Sequence, residues 1–342
     1  MCAFGGTVTD LGATILDADG LRLSAEEKRF FRDARPFGFI LFARNIDTPD
    51  QVRALCEDMR EAAGHDAMIT IDQEGGRVQR LRAPHWREWL PPLDHVHAAG
   101  RAAQRAMFLR YRIIAAELNA LGIDSNCAPM ADIAFDQTHP FLRNRCYGTD
   151  AGEVAALARA ASDAMLEGGV LPVLKHIPGH GRATSDSHYD LPRVSATTED
   201  LRATDFAAFA ALRDLPLGMT AHVVYEAFSD APATLCATTL EAVRKDIGFD
   251  GLIMTDDISM KALSGDLGTL SQQALGAGCD VILHCNGTLA ERRAVAEAAG
   301  TLATDAKRRA DAALAARVVP ADVDIESLEA QLGALLGEGS HG

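Results

Sequence analysis

Side chains capable of chemistry follow one apolar run near the middle of the chain. Lys175 and His176 come directly after the apolar stretch 170–174, and His180 follows in a glycine-rich loop. The aliphatic residues of that stretch predict a buried strand, and Pro178 with its neighbouring glycines excludes a regular helix after it. A rigid strand therefore delivers a cation and an imidazole to its carboxyl end. This arrangement is typical of an active-site rim on a parallel β/α scaffold.

Two further strand ends carry polar residues that could hold a ligand. Asp72 follows the apolar run 67–71 and precedes paired glycines, which would suit a ligand approached by the backbone, and Arg80. Arg145 ends the long connection after the fourth apolar run. Asp72 could accept hydrogen bonds from two neighbouring sugar hydroxyls, and Arg80 could donate to another. A charged turn is the alternative, and Arg145 taken alone is typical of a surface charge.

A pair of acidic residues ends another apolar run. Asp256 and Asp257 follow the stretch 251–255, and Ser259 comes two residues later. A carboxylate in this position is placed as a nucleophile or a ligand would be, whereas an N-cap for the next helix is the structural alternative. Since Asp257 or Ser259 could serve as the cap, the pair leaves Asp256 available for chemistry.

Lys175 and His176 also have structural interpretations. The lysine could form a salt bridge, and the histidine could be a core residue whose hydrogen bonds are satisfied. Side chains alternate along a strand, so a continuing strand would send the two to opposite sides. Both reach one site only if the chain bends, and Pro178 is the expected position of that bend.

The elements that must hold these residues alternate along the whole chain. Amphipathic helical patterns separate short apolar runs; one begins at the capping-box pattern of Ser24 and Glu27 and another has Pro49 at its first position. The predicted strands cover roughly residues 11–16, 37–42, 67–71, 122–128, 170–174, 217–221, 251–255 and 279–283. Eight strand–helix units predict an α/β fold, a (β/α)8 TIM barrel. A doubly wound open sheet is the alternative, but no Gly-x-Gly-x-x-Gly loop follows the first strand.

Composition indicates a soluble protein of one domain. No low-complexity linker divides residues 1–342, and we expect a last helix over roughly 323–337 and a short frayed tail from Gly337 to Gly342. The formal net charge of −15 argues against nucleic-acid binding. Seven cysteines without C-x-x-C spacing indicate a reducing compartment. Because we see neither a signal peptide nor a membrane span, we expect a cytoplasmic protein.

Taken together, the motifs resemble bacterial β-N-acetylhexosaminidases of the NagZ type, in glycoside hydrolase family 3. The resemblance covers about residues 35–285, and the motifs occur in the family's order. The matching pieces are Ile71-Asp72-Gln73-Glu74-Gly75-Gly76-Arg77-Val78-Gln79-Arg80, Asn144-Arg145, Lys175-His176-Ile177-Pro178-Gly179-His180-Gly181, Asp186-Ser187-His188 and Thr255-Asp256-Asp257-Ile258-Ser259-Met260. Ile177 departs from the aromatic residue more usual in the family, which should change packing and leave the chemistry unaltered.

The resemblance implies an enzyme that removes terminal N-acetylglucosamine from cell-wall fragments with retention of configuration. It implies Asp256 as the nucleophile and His188 as the acid/base, oriented by Asp186. Residues two apart share one face of an extended segment, so this spacing permits the contact between Asp186 and His188. We interpret His180 as a loop-structuring residue. The family's sugar-binding positions match Asp72, Arg80, Arg145, Lys175 and His176.

The chemistry of the residues agrees with this assignment. A retaining glycosidase needs a nucleophile and an acid/base on opposite sides of the glycosidic bond. No second carboxylate stands out at a strand end, which is consistent with a histidine acid/base. The expected substrate is a small molecule, an N-acetylglucosaminyl-1,6-anhydromuramyl peptide. We expect no cofactor, no metal, no nucleic-acid or membrane partner, and a monomer.

Three alternatives stay open at this point. A metal-dependent hydrolase could use His176, His180, Asp186 and His188, although Lys175 would repel a cation, and a chelator would separate this alternative. A non-catalytic sugar-binding protein on a decayed barrel is the second. The third is transfer to phosphate instead of water, since a neutral imidazole repels an anionic acceptor less than a carboxylate does.

Overall fold

Eight parallel strands and the helices between them form the structure, a computed structural model that describes residues 11–185 and 190–338. The strands are β1 (Gly12–Leu16), β2 (Pro36–Leu41), β3 (Met68–Ile71), β4 (Ser125–Asn126), β5 (Leu171–Ile177), β6 (Leu217–Thr220), β7 (Leu252–Met254) and β8 (Ile282–His284). One sheet has the order β8-β1-β2-β3 and the other the order β7-β6-β5-β4. Each strand overlaps one of the predicted strands, although β5 extends beyond its predicted end to Ile177, and this confirms the expected α/β barrel fold.

Hydrogen bonds join the two four-stranded sheets at both of their edges. Between β3 and β4, the Cys127 amide donates to the Ile71 carbonyl at 2.8 Å. Between β7 and β8, the Asp280 amide donates to the Ile253 carbonyl, also at 2.8 Å. The strands therefore follow one another around a closed ring, as a barrel requires, and the open-sheet alternative is not supported.

The fourth strand is shorter than predicted. Its ladder ends at Asn126, whereas the predicted strand continues to residue 128 and is followed by Pro129. Proline has no N–H to donate, so the strand cannot continue a regular ladder there. The Pro129 carbonyl instead accepts a hydrogen bond from the Lys175 amide at 3.1 Å. This contact keeps the chain after β4 beside the end of β5.

Two helices begin where the capping box at Ser24 and the proline at position 49 predict them. In α1 the Ser24 side chain accepts from the Glu27 amide and the Glu27 side chain accepts from the Ser24 amide. The helices are α1 (Ala25–Ala34), α2 (Pro49–Ala63), α3 (Pro92–Ala99), α4 (Ala103–Asn119), α5 (Pro140–Arg143), α6 (Ala151–Glu167), α7 (Thr198–Ala203), α8 (Asp205–Ala210), α9 (Ala237–Ala242), α10 (Leu267–Ala277), α11 (Leu289–Ala299), α12 (Thr304–Ala315) and α13 (Ile325–Glu338). Helix α13 continues past Gly337, where we expected a tail, and residues 339–342 lie outside the described part. No helix described here is both long and apolar enough to cross a membrane.

Apolar side chains cover both faces of the strands. Val173, Met219 and Leu283 belong to one buried cluster, whereas Ile69 and Ile253 belong to a second cluster that includes helix residues. Neighbours along a strand thus point alternately into the barrel and towards the helices. Because both faces are buried, most of the strands appear in the sequence as nearly continuous apolar runs, although β4 consists of Ser125 and Asn126.

The junction between β7 and β8 generates a stability prediction. The Asp280 carboxylate accepts from the Ile253 amide at 2.8 Å and pairs with Arg244 at 2.7 Å and Arg309 at 2.9 Å. Asp280→Ala removes a buried acceptor from two cations and a strand amide, so the free energy of unfolding should fall by about 3 kcal/mol in urea denaturation. The same change at exposed Asp322 should cost less than about 0.5 kcal/mol. Equal losses in both variants would show that the junction contributes nothing.

Candidate active site

A pocket opens at the carboxyl ends of the strands. Its volume of about 350 Å³ is near the lower end of the range typical of small-molecule sites, about 300–1,000 Å³. All the predicted site residues that the structure describes line this pocket: Asp72, Arg80, Arg145, Lys175, His176 and Asp256. The barrel thus brings together side chains that are far apart in the sequence. The other two predicted residues, Asp186 and His188, lie outside the described part of the chain.

Lys175 and His176 both line the pocket although they are adjacent on β5. The pairing of β5 with β6 shifts register between Leu174 and Ile177, the interval that contains Lys175 and His176. The irregularity that lets both side chains face the pocket therefore lies within the strand. The expectation that a bend at Pro178 would do so is wrong. A regular alternating strand would have turned one of them away.

Lys175 is neutralised by two carboxylates. Its Nζ atom lies 2.5 Å from Glu74 and 3.2 Å from Asp72, and its side chain is 2% exposed. Glu74 also accepts two hydrogen bonds from Arg145, at 2.8 and 3.0 Å, and Arg80 donates to Asp72 at 2.8 Å. Three cations and two carboxylates therefore form one connected network on one side of the pocket.

This network fixes the charge of its members. Burial by itself would raise the pKa of the Asp72 and Glu74 carboxyls, but the neighbouring cations outweigh it. They hold the pKa of Asp72 well below its usual value and lower the pKa of Glu74 to about 2. Burial would lower the pKa of Lys175, yet Glu74 and Asp72 raise it. All three groups are charged at neutral pH.

Paired glycines position Glu74 in this network. Glu74 lies on a short antiparallel hairpin between Gln73–Gly75 and Val78–Gln79. Gly75 has a φ of +110°, and a Cβ atom there would lie 1.9 Å from an Arg110 nitrogen. A Cβ atom on Gly76 would lie 2.9 Å from Pro91. These glycines therefore permit close packing within the protein and not the approach of a ligand to the backbone.

Asp256 differs from the other pocket carboxylates. It follows β7, is half-buried, and accepts a hydrogen bond from the Asp257 amide at 2.8 Å. Within residues 11–185 and 190–338, it is the pocket carboxylate that forms no ion pair. Asp257 instead accepts from the Ser259 amide and hydroxyl, at 3.0 and 2.8 Å. Asp257 thus holds the turn, and Asp256 is left facing the pocket.

His222 supports this turn and was missed by the sequence reasoning. Its Nε2 lies 3.0 Å from the Asp257 carbonyl oxygen, and its Nδ1 lies 2.7 Å from the Thr234 hydroxyl. Burial lowers the pKa of His222, so the ring is a neutral hydrogen-bonding group at neutral pH. The signal that could have found it is its position just after β6, since polar residues follow several other strands in the same way.

Asp132 was also missed. It is fully buried, and its carboxylate lies 2.7 Å from His176 Nδ1 and 2.6 Å from the His180 amide. The sequence signal is a single acidic residue in the otherwise apolar run 127–134. Such a carboxylate needs hydrogen-bond donors when it is buried, and here two histidine residues supply them.

Comparison with known proteins agrees with this geometry. The chain matches the glycosyl hydrolase family 3 N terminal domain over residues 8–319. It belongs to glycosyl hydrolase family 3. A β-hexosaminidase of Tolumonas auensis is 37% identical over 284 residues, covering 81% of this chain and 83% of the relative. One from Pseudomonas aeruginosa (strain LESB58) is 37% identical over 289 residues, covering 83% of this chain and 86% of the relative.

A solved structure of the same family has the same fold. NagZ from Neisseria gonorrhoeae, in complex with N-trifluoroacetyl-D-glucosamine, superposes with a TM-score of 0.78 at 27% identity. The match covers 96% of this chain and 98% of that protein. These similarities confirm the predicted recognition: the chain is a glycoside hydrolase of family 3, of the NagZ type.

In this family 3 chain, contacts fix the first part of the loop after β5. The His180 amide bonds to Asp132, and Arg182 pairs with Asp205 at 2.7 Å. The His180 ring lies 5.6 Å from the His176 ring, and burial lowers the pKa of His180 to about 3. The expected structuring role of His180 thus rests on its backbone. The roles of Asp186 and His188 stay predictions.

The metal-dependent alternative is not favoured by the part of the site that can be described. Among residues 11–185 and 190–338, no group of three or more histidine, cysteine, aspartate or glutamate side chains is arranged to hold a metal ion. His176 directs Nδ1 to Asp132, so this nitrogen is not free for a metal. The alternative also requires Asp186 and His188, which lie outside these ranges.

The pKa of Glu74 predicts how the network responds to acid. Glu74→Gln should lower the free energy of unfolding at neutral pH, because Lys175 and Arg145 lose a buried counter-charge. The pKa of this carboxyl is about 2 in the folded protein against an ordinary 4.5, so its ionised form stabilises the fold above pH 4.5. That contribution is lost as pH falls from 4.5 towards 2, and the difference between wild type and variant should shrink over this interval.

Urea denaturation at several pH values measures this difference. Glu297→Gln on the exposed face of α11 is the control, and its stability should stay close to wild type at each pH. A Glu74→Gln deficit that is the same at neutral and acidic pH would contradict the assigned ionisation.

Proposed function

We propose that this glycoside hydrolase is a retaining exo-β-N-acetylglucosaminidase with Asp256 as its nucleophile. The observation that carries the proposal is the distribution of charge in the pocket. Asp72 is neutralised by Lys175 and Arg80, whereas Asp256 has no cation partner among the described residues. An unpaired carboxylate can attack a developing oxocarbenium centre, and its position after β7 is where barrel enzymes carry catalytic groups.

The charged network in the pocket suits the hydroxyl groups of one sugar. Asp72 offers acceptor oxygens, and Arg80, Arg145 and Lys175 offer donors on the same wall. A sugar hydroxyl can donate to the carboxylate and accept from a cation at once, which makes such a wall selective for vicinal hydroxyls. A cavity of about 350 Å³ accommodates one sugar residue, which supports removal of a terminal unit.

The proposed reaction has two steps. Asp256 attacks the anomeric carbon while His188 donates its proton to the leaving oxygen, giving a glycosyl ester and a free aglycone. Water then attacks the same carbon, passes a proton to His188 and releases Asp256. Each step inverts the centre, so configuration is retained. Asp186 would orient the imidazole and stabilise its charged form; this pair rests on the sequence motif.

Similar proteins support the type of sugar. The relatives described above are β-hexosaminidases, and the Neisseria protein binds N-trifluoroacetyl-D-glucosamine. We propose N-acetylglucosaminyl-1,6-anhydromuramyl peptides as the substrate and the cytoplasm as the location, and both proposals rest on the resemblance of the motifs. Water is the proposed acceptor, because Lys175, Arg145 and Arg80 are each already bonded to a carboxylate within the protein.

Replacing the nucleophile tests the proposal directly. Asp256→Ala should abolish turnover of an aryl N-acetyl-β-glucosaminide, since no carboxylate remains to form the ester, and the melting temperature should change little. Asp322→Ala is the control and should retain wild-type activity. A slow ring-fluorinated substrate should label the wild-type peptide that contains Asp256, as seen by mass spectrometry. Near-wild-type turnover by Asp256→Ala would exclude it as the nucleophile.

Leaving-group dependence tests His188. His188→Ala should slow glycosylation sharply for sugar leaving groups and much less for nitrophenolate, which departs without a proton. Deglycosylation should slow for both, and added azide should restore it because azide needs no base. Asp186→Ala should show a weaker version of this pattern. If all leaving groups are affected equally and azide restores nothing, the acid/base lies elsewhere.

A further inference from the structure

Asp132 contacts the pocket only through other residues. Its Oδ2 atom lies 2.7 Å from His176 Nδ1, and its Oδ1 atom lies 2.6 Å from the His180 amide nitrogen. Both oxygens also accept from the His176 amide, at 3.2 and 3.3 Å. Burial would raise the pKa of Asp132, but the neighbouring His176 outweighs it and lowers this pKa. The carboxylate is therefore surrounded by N–H groups and stays ionised.

We infer that Asp132 is a positioning residue that keeps the proton of neutral His176 on Nδ1. The ring then presents Nε2 to the pocket as a hydrogen-bond acceptor for a sugar hydroxyl. The part of this inference that concerns the sugar rests on the proposed function. The position of the proton does not, because it follows from the contacts within the protein.

His176 can add a second hydrogen-bond acceptor to the one that Asp72 offers in the pocket. Nε2 of His176 receives no hydrogen bond from residues 11–185 or 190–338, and the ring lines the cavity. The neighbouring side chains Lys175, Arg80 and Arg145 can only donate. A hydroxyl that accepts from one of these cations still carries a proton to give, and Nε2 can take it. If the proton were on Nε2 instead, His176 would be a donor to the sugar, as Lys175, Arg80 and Arg145 are.

Asparagine at position 132 would reverse the tautomer. It keeps the shape of aspartate but replaces one oxygen by an NH2 group, which cannot accept a hydrogen bond. The His180 amide is a backbone donor and cannot change its role, so the amide oxygen is required on that side. The NH2 group then faces His176 Nδ1, which can accept only after its proton has moved to Nε2.

The experiment combines side-chain nitrogen NMR with kinetics on the full chain. In histidine-labelled wild type at mildly alkaline pH, His176 should show a protonated Nδ1, assigned by loss of its signal in His176→Gln. In Asp132→Asn the proton should appear on Nε2. The kcat/KM for an aryl N-acetyl-β-glucosaminide should fall about 10- to 100-fold, mainly through a higher KM, because the lost acceptor binds the sugar in ground and transition states alike.

Asp205→Asn provides a matched control. Asp205 is buried and bonded to Arg182 on the same loop, but it does not contact His176. This variant should leave the His176 tautomer unchanged even if it lowers stability. Wild-type His176 protonated on Nε2 would overturn the inference, even if Asp132→Asn failed to fold. An unchanged tautomer and kcat/KM in Asp132→Asn would overturn it as well. If the wild type does not act on the aryl glycoside, the proposed function is refuted but the inference about Asp132 is not, because the NMR measurement of the His176 tautomer needs no substrate.

Discussion

Glu74 is the buried charge on which the arrangement of the site depends. Its carboxylate lies between Lys175 at the end of β5 and Arg145 in the connection after β4. Three segments that are distant in sequence are therefore joined by charges almost excluded from water. Separating any one of them would leave an uncompensated ion in a low-dielectric environment, which costs several kcal/mol. The geometry of the pocket wall is thus fixed before any ligand binds.

A second buried carboxylate plays the equivalent part for the imidazole groups. Among residues 11–185 and 190–338, Asp132 meets only N–H donors, two of them from His176 and one from His180. Neither Glu74 nor Asp132 lines the pocket, yet each orients side chains that do. Such supporting groups commonly fix the geometry of catalytic sites. A long polar side chain is held in one rotamer when a second group, behind the site, also bonds to it.

Among the described residues, cations of the pocket pair with Asp72 and not with Asp256, and this difference separates the chemical roles of the two carboxylates. Since Lys175 and Arg80 are bonded to Asp72, the pocket has a polar wall that can exchange hydrogen bonds with hydroxyls at little electrostatic cost. Asp256, held by the turn that Asp257 and His222 support, keeps its negative charge unshared among the described residues. The placement of the cations thus distinguishes Asp72, which is proposed to bind the sugar, from Asp256, which is proposed to be the nucleophile.

The sequence by itself determined the strands, the helix starts and the residues that lie at the strand ends. These depend on local patterns: apolar runs bounded by polar residues, capping boxes, and the rule that barrel chemistry follows the strands. Only the tertiary structure decided which partners those residues have. Asp132 and Glu74 were not identified as supporting residues, because their donors come from other strands. The register shift in β5, which brings Lys175 and His176 to one side, depends on pairing with β6. Ion pairing and register arise from long-range closure of the barrel, and no local pattern encodes them.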